Sequence, residues 1–248
     1  MKTCLLAVVE RATAISANQL LALLSEDDAV TWWPQLERIE LGLGQMLSDS
    51  GQPPDYVYFP TTAIVSLLYT TAEGECSEIA VVGCDGLVGM SVFMGGDATP
   101  SRAVVQSAGQ AWRLPARVVR EETATSPAVL RAFLGYLSAM LAQVAQTAAC
   151  NRYHSIDQLL CRRLLLGLDR SPGANLVMTQ EAVANLLGVR REGVTGAALR
   201  LQQAGVISYS RGRISVLDRS QLEARTRGPA SPRGTVRAGV AFQEVATA

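Results

Sequence analysis

The chain has 248 residues, 48% of them hydrophobic, and 22 basic side chains balance 22 acidic ones. That is enough apolar material for a buried core and for two domains, while a formal charge of zero gives no sign of a polyanionic partner. Its distribution does: residues 1–149 hold 8 basic and 15 acidic side chains and residues 150–248 hold 14 and 7, which points to nucleic-acid contact by the C-terminal half. Cys4, Cys76, Cys84, Cys150 and Cys161 are scattered, odd in number and without a Cys-x-x-Cys pair. They speak against a disulfide framework and for a reduced intracellular setting.

Near the N-terminus, Leu5-Leu6-Ala7-Val8-Val9 runs into Glu10-Arg11, too short for the core of a signal peptide. No apolar run is read as approaching the length of a membrane span, so a soluble, cytoplasmic protein without membrane contact is expected. Residues 16–37 are expected to be helical, with Leu20, Leu21, Leu23 and Leu24 ahead of Trp32-Trp33-Pro34. From Arg38 to about Leu114 the pattern changes to short β-type runs at residues 38–41, 56–59, 64–70, 77–82, 103–107 and 111–114. Turn residues separate them at 51–54, 72–75, 83–86 and 95–97. Several short strands at regular spacing imply a sandwich or barrel, and a small antiparallel, jelly-roll-like β-roll is predicted within an N-terminal domain of residues 16–125.

Ser126-Pro127 then opens a long helix over residues 126–150, with serine as N-cap and proline at the first helical position. Leu130, Leu134, Leu137, Leu141, Val144 and Ala148 recur along it at alternating steps of four and three. This is the heptad spacing of two helices that pack along their length, and a homodimer is expected across it. Phe133 and Met140 lie off the seam and are expected to face the β-roll. The alternative is a lone amphipathic helix that covers only its own sheet. Residues 151–155 interrupt the apolar pattern and mark a hinge. A second domain follows over residues 156–222, entered through a helix over Ile156–Asp169 and Ser171-Pro172-Gly173.

Residues 178–207 have the internal spacing of a helix-turn-helix. Counting Gln180 as the first position, Ala184 is fifth, Gly188 ninth and Val194 fifteenth. A small residue lets two steeply crossing helices touch, glycine takes the left-handed turn, and the β-branched residue plugs the second helix into the first beside Val183, Leu187, Ala198 and Leu201. Few ordinary antiparallel helix pairs meet all three requirements. Thr179 is expected to cap the first helix. The second opens with Arg190-Arg191-Glu192, at the end of a recognition helix that meets base edges in the major groove. Two alternating runs, residues 206–209 and 213–217, flank Ser210-Arg211-Gly212 and read as a β-hairpin wing with Arg211 and Arg213 at its tip. Residues 223–248, rich in Arg, Gly, Pro and Ala without periodicity, are expected to be disordered.

The order of β-roll, long helix, hinge and winged helix resembles the Crp/Fnr family of bacterial transcription regulators over roughly residues 16–222. The residues that carry it most specifically are Thr179-Gln180-Glu181, Leu186-Leu187-Gly188-Val189, Arg191-Glu192 with Val194, and Gly205-Val206-Ile207. The resemblance implies an α+β fold of two domains: a cyclic-nucleotide-binding-like sensor roll with a dimerisation helix, and a winged helix-turn-helix that binds duplex DNA. It implies a homodimer on an inverted-repeat operator, with RNA polymerase as a further partner. Arg191 and Glu192 match the family's base-reading pair, since arginine can bond guanine O6 and N7 together and glutamate can accept from cytosine N4. Thr179 and Gln180 match positions near phosphates, and Arg190, Thr195, Arg200, Arg211 and Arg213 complete the expected DNA-binding set. Gly196 stands where the family often has a second arginine, and Arg190 where a serine often precedes the Arg-Glu pair, so the half-site sequence does not transfer.

In the same family the roll senses a small molecule. Cyclic-nucleotide binders carry a Gly-Glu whose carboxylate bonds the ribose hydroxyl, followed by an arginine that neutralises the cyclic phosphate. Here the corresponding stretch is Gly86-Leu87-Val88-Gly89-Met90-Ser91, with Met90 at the glutamate position. Ser101 aligns with the arginine and Arg102 falls one residue late, which on a strand turns a side chain to the opposite face. Gly89, Met90, Ser91, Ser101 and Arg102 are therefore the candidate effector pocket, control by cyclic nucleotide is not expected, and the effector is left open. No cofactor is predicted: an iron–sulfur sensor needs clustered thiolates, and a haem sensor an axial histidine in the roll, whereas the single histidine, His154, lies in the hinge. The competing readings are a cyclic-nucleotide-responsive regulator of the same family and a cupin-like enzyme. The enzyme is disfavoured by a roll without histidine and by the lack of a Gly-x-Ser-x-Gly turn.

Overall fold

A computed structural model describes residues 14–24, 32–74, 76–96, 98–170, 175–210 and 212–226. Helix α1, Gln19–Ala22, is a single turn capped by Asn18, whose side chain accepts from the Leu20 and Leu21 amides. Most of the helix expected over residues 16–37 is therefore absent among the described residues. Trp33–Gln35 forms a 3-10 turn, its proline near the start, and the chain is already extended at Glu37.

Among the described residues seven strands form the roll as two antiparallel sheets. One has the order β1 (Glu37–Leu41), β7 (Gly109–Pro115), β3 (Tyr56–Pro60); the other has β2 (Met46–Ser48), β6 (Arg102–Ser107), β4 (Ile64–Thr70), β5 (Cys76–Val82). All six expected strands are present, and β2, which gave no alternating run, is the seventh. Alternation decides which face is which. Val65, Leu67, Ala80, Val82, Ala103 and Val105 enter the roll core together with Val57 and Phe59. Ile64 and Val81, pointing the other way, belong to the core of the C-terminal domain. The four-stranded sheet is thus covered on both sides, and the domains share an interface.

Helix α2, Ala116–Thr125, follows the roll without having been anticipated as a separate element. Ser126 then caps α3, Pro127–Tyr153, accepting from the Val129 N–H at 3.3 Å with proline in the first turn, as the sequence implied. Two expectations about this helix need correction. It continues through Asn151-Arg152-Tyr153, so the hinge shrinks to His154-Ser155 between it and α4, Ile156–Asp169. By length and composition it is apolar enough to cross a membrane, because no charge occurs between Arg131 and Arg152. The heptad seam and the charge-free run occupy largely the same residues. Val129, Phe133, Tyr136 and Met140 join the roll core, so one side of the helix is committed to its own domain, and Phe133 and Met140 face the roll as predicted.

The C-terminal domain comprises α4, a three-stranded sheet in the order β8 (Asn175–Val177), β10 (Arg213–Val216), β9 (Ile207–Ser210), and the helices α5 (Gln180–Leu187), α6 (Arg191–Gln203) and α7 (Arg219–Thr226). The wing hairpin is as expected, and β8 adds a third strand to it through Ile214 opposite Leu176. Helix α7 carries buried Leu222 and extends through Thr226, so residues 223–226 of the expected tail are helical. The remainder of that tail and Ser171-Pro172-Gly173 lie outside the described residues.

Candidate nucleic-acid interface

Local chemistry sets both helices of the motif. The Thr179 hydroxyl accepts from the Ala182 N–H at 3.1 Å and starts α5. Gly188 ends it at φ 62°, where its N–H reaches the Ala184 and Asn185 carbonyls and a Cβ would be disfavoured. Val194, 1% exposed, plugs α6 into a core of Val183, Ala184, Ala198 and Leu201, with Leu187 partly buried beside it. Gly193 has a role the sequence did not announce: a Cβ there would sit 2.7 Å from Ile156 Cδ1, so α6 crosses α4 as closely as glycine allows.

The structure joins most of the expected DNA-binding residues into one surface. Met178 N–H donates to the Gly212 carbonyl at 2.9 Å, which closes the wing turn against the start of α5 next to Thr179. Gln180 Oε1 accepts from Thr195 Oγ1 at 2.7 Å, and the same hydroxyl lies 3.0 Å from the Arg191 carbonyl one turn back. Wing, Thr179, Gln180, Thr195 and Arg191 are therefore neighbours in series. Arg190, Arg191, Glu192, Thr195 and Arg213 are exposed. Arg211 lies outside the described residues.

Arg200 is exposed and already has a partner within the domain. Its guanidinium holds the Asp157 carboxylate through two bonds, Nε to Oδ2 at 2.9 Å and Nη2 to Oδ1 at 2.5 Å. Nine residues beyond Arg191, it lies about half a turn round the helix from that residue. Arg200 thus ties α6 to α4. The bond with Arg200 holds the Asp157 carboxyl below its ordinary value.

The candidate effector residues are spoken for in part. Gly89 has φ 107°, and a Cβ there would stand 3.2 Å from the Tyr56 carbonyl. Met90 packs against the roll core. Ser101 is buried with its hydroxyl 3.2 Å from that of Thr99, and Arg102 pairs with Asp49 at 2.9 Å. Ser91 Oγ is buried without a hydrogen-bond partner. Between roll and long helix stands an aromatic cluster, with Phe133 5.2 Å from Phe93 and 6.2 Å from Phe59 between ring centroids. Among the described residues no group of three or more His, Cys, Asp or Glu side chains is placed to hold a metal ion.

Comparison with known families matches residues 159–225 to the Crp-like helix-turn-helix domain and residues 38–126 to the cyclic nucleotide-binding domain, together more than half of the chain. The chain belongs to the Crp/Fnr family of transcription regulators. It carries that family's helix-turn-helix DNA-binding domain. Solved structures agree on the fold. A Crp/Fnr-family transcriptional regulator from Eubacterium rectale superposes with a TM-score of 0.66 at 18% identity, over 86% of this chain and 100% of that one. FixK2 from Bradyrhizobium japonicum gives 0.65 at 15% identity, over 78% and 98%. The c-di-GMP-responsive global regulator CLP of Xanthomonas campestris gives 0.58 at 18% identity, over 74% and 94%. A comparison with curated protein sequences finds no match.

Proposed function

We propose that this Crp/Fnr regulator acts in the cytoplasm as a homodimer on an inverted-repeat operator, with RNA polymerase as its further partner, and that cyclic AMP and cyclic GMP do not control it. The observation that carries the dimer is the outer stripe of α3: Leu134 is 48% exposed and Leu141 62% exposed on a helix whose neighbouring face is in the roll core. An aliphatic stripe of heptad spacing fits a second copy of itself. Two copies of α6 would then enter successive major grooves, with half-sites about one helical turn, roughly 34 Å, apart.

Within each copy Arg191 reads bases while Arg190, Arg211 and Arg213 hold phosphates. Selection from random duplexes should return an inverted repeat, and Arg191→Ala should relax one position in each half-site by about 1–3 kcal/mol of discrimination. A wing variant, Arg213→Ala, should weaken all sequences alike and lower the salt slope by about one. If Arg191→Ala leaves the selected motif unchanged, the assignment of the base-reading residue is wrong.

Met90 in place of a ribose-binding carboxylate, and an Arg102 already paired with Asp49, support independence from cyclic nucleotide. A thioether does not accept strong bonds from two hydroxyls. The match to the cyclic nucleotide-binding domain and the orphan Ser91 hydroxyl favour the second reading, a nucleotide-responsive regulator. Calorimetry with each nucleotide at millimolar concentration separates them: no saturable heat supports independence, and micromolar binding that sharpens DNA affinity establishes the second.

A further inference from the structure

The roll and the DNA-binding domain meet through a charged layer that water barely reaches. Arg163 of α4, 2% exposed, places Nε 2.9 Å from Glu78 Oε1 on β5, and the other Glu78 oxygen accepts from Ser66 Oγ at 2.5 Å. Arg163 Nη2 also donates to Gln106. Seven residues on, Arg170 pairs with Asp85 at 2.8 Å and donates to Gln143 of α3 at 3.0 Å. Arg162 has no such carboxylate. Its Nη2 lies 3.3 Å from Thr147 Oγ1, and among the described residues it makes no ion pair. Three guanidinium groups thus share two carboxylates.

The surplus cation borders a cleft where β5, α3, α4 and α5 converge. Its walls include Glu78, Gln143, Thr147, Arg162, Arg163 and Leu187, and it encloses about 20 Å³. That is room for water or a group of a few atoms, and not for a nucleotide. Two features ask for a negative ligand. Arg163 Nη1 is buried without a hydrogen-bond partner, and its Nε, though close to Glu78, is off the axis of a proper hydrogen bond. Burial also pushes the Arg162 guanidinium below its ordinary value, opposed by Cys150 and Glu78. A buried charge without its counter-charge is costly.

We propose that this cleft binds a compact oxyanion between the guanidinium groups of Arg162 and Arg163. The site is separate from the candidate pocket at Met90, Ser91, Ser101 and Arg102. Its walls come from the roll, the long helix and the DNA-binding domain, so an anion held there stabilises their docked arrangement. Any state with the domains apart loses those contacts, which makes occupancy and domain docking linked equilibria. Arginine forks suit planar carboxylates and tetrahedral phosphates alike.

The test is calorimetry on the full-length protein, without DNA, in chloride buffer at fixed ionic strength, with inorganic phosphate in one arm and acetate in the other. Saturable binding of one anion per chain is expected in at least one arm. The arm that binds tells a phosphate-type ligand from a carboxylate. Arg162→Gln should weaken that binding roughly tenfold or more, the scale of a lost hydrogen bond to a charged group, while still melting cooperatively. Should that variant fail to fold, Arg162→Lys keeps the charge without the fork and should bind several-fold more weakly. No saturable binding in either arm, or undiminished binding in the variant that folds, overturns the proposal. Because no DNA is present, failure here leaves the operator reading untouched.

Discussion

Two apolar stripes run along α3, and they differ in what covers them. Val129, Phe133, Tyr136, Met140, Gln143 and Cys150 are buried against the chain's own domains. Leu130, Leu134, Leu137, Leu141, Val144 and Ala148 lie on the neighbouring face, where three are exposed and three half-buried. The outer stripe steps by four and three throughout and the inner one does so from Val129 to Gln143, so spacing reports that a face is apolar without saying what covers it. The polar atoms separate the two. Tyr136 donates to the Leu87 carbonyl at 2.9 Å and Gln143 to the Val81 carbonyl at 3.1 Å, fixed partners that only a specific surface provides. Gly86 belongs to the same fit, since a Cβ there would collide with the Tyr136 ring at 2.1 Å. The outer stripe is aliphatic throughout, which suits a copy of itself.

The strongest way to break this comparison is to charge the outer stripe. Burying one leucine contributes about 1.5–3 kcal/mol, so Leu134→Glu with Leu141→Glu should remove about 3–6 kcal/mol of association per chain. Sedimentation should show folded monomers, with operator binding weakened. A double variant that unfolds would mean that the chain's own surface covers the stripe. On the inner stripe, Phe133→Ala should cost about 3–5 kcal/mol in denaturant unfolding, because it empties the space beside Phe59 and Phe93. Leu134→Ala should leave that unfolding nearly unchanged at concentrations where the protein is monomeric. Equal losses for the two would erase the distinction between the faces.

The same contrast explains how much the sequence disclosed. The helix-turn-helix was legible because its requirements are local: Ala184, Gly188 and Val194 are set by contacts within one short segment. Six strands followed from alternation for the same reason, and the helix read over Ile156–Asp169 has those bounds in the structure. What depended on distant residues was not legible. Arg200 reads as an unpaired cation until Asp157, 43 residues earlier, is seen to hold it. Glu78 looks like an outward residue of β5, but Arg163 makes it part of a domain interface. The signal was there in weak form, as a single carboxylate in Ser77-Glu78-Ile79-Ala80-Val81-Val82 and paired arginines inside Leu159-Leu160-Cys161-Arg162-Arg163-Leu164-Leu165. Strand β2 escaped because three residues are too few to establish a period.

A smaller effect sharpens the account of the inner stripe. Tyr136→Phe keeps the ring against Gly86 and deletes only the bond to Leu87, leaving a buried carbonyl with one acceptor fewer satisfied. The cost should be about 1 kcal/mol in the same unfolding experiment, well below that of Phe133→Ala. A neutral result would mean that shape alone fixes this face of the helix.

The smallest effect lies where both stripes end. His154 caps α3 through its N–H, 2.9 Å from the Cys150 carbonyl, and both its ring nitrogens are buried without hydrogen-bond partners. Burial first, then the nearby Arg162 charge, holds its pKa below the ordinary 6.5. The folded protein therefore keeps the ring neutral at a pH where the unfolded chain has begun to take up a proton. Stability should be unaffected by this group above 6.5 and should decline as the pH falls through that value. The carboxylates of Asp49, Asp157 and Asp218 are held below 3.8 by their hydrogen bonds and titrate outside this window. Denaturant unfolding on either side of 6.5 should show the decline in the wild type and lose it in His154→Gln. A slope that survives the substitution would place its origin elsewhere, and the end of the long helix would then be insensitive to protonation.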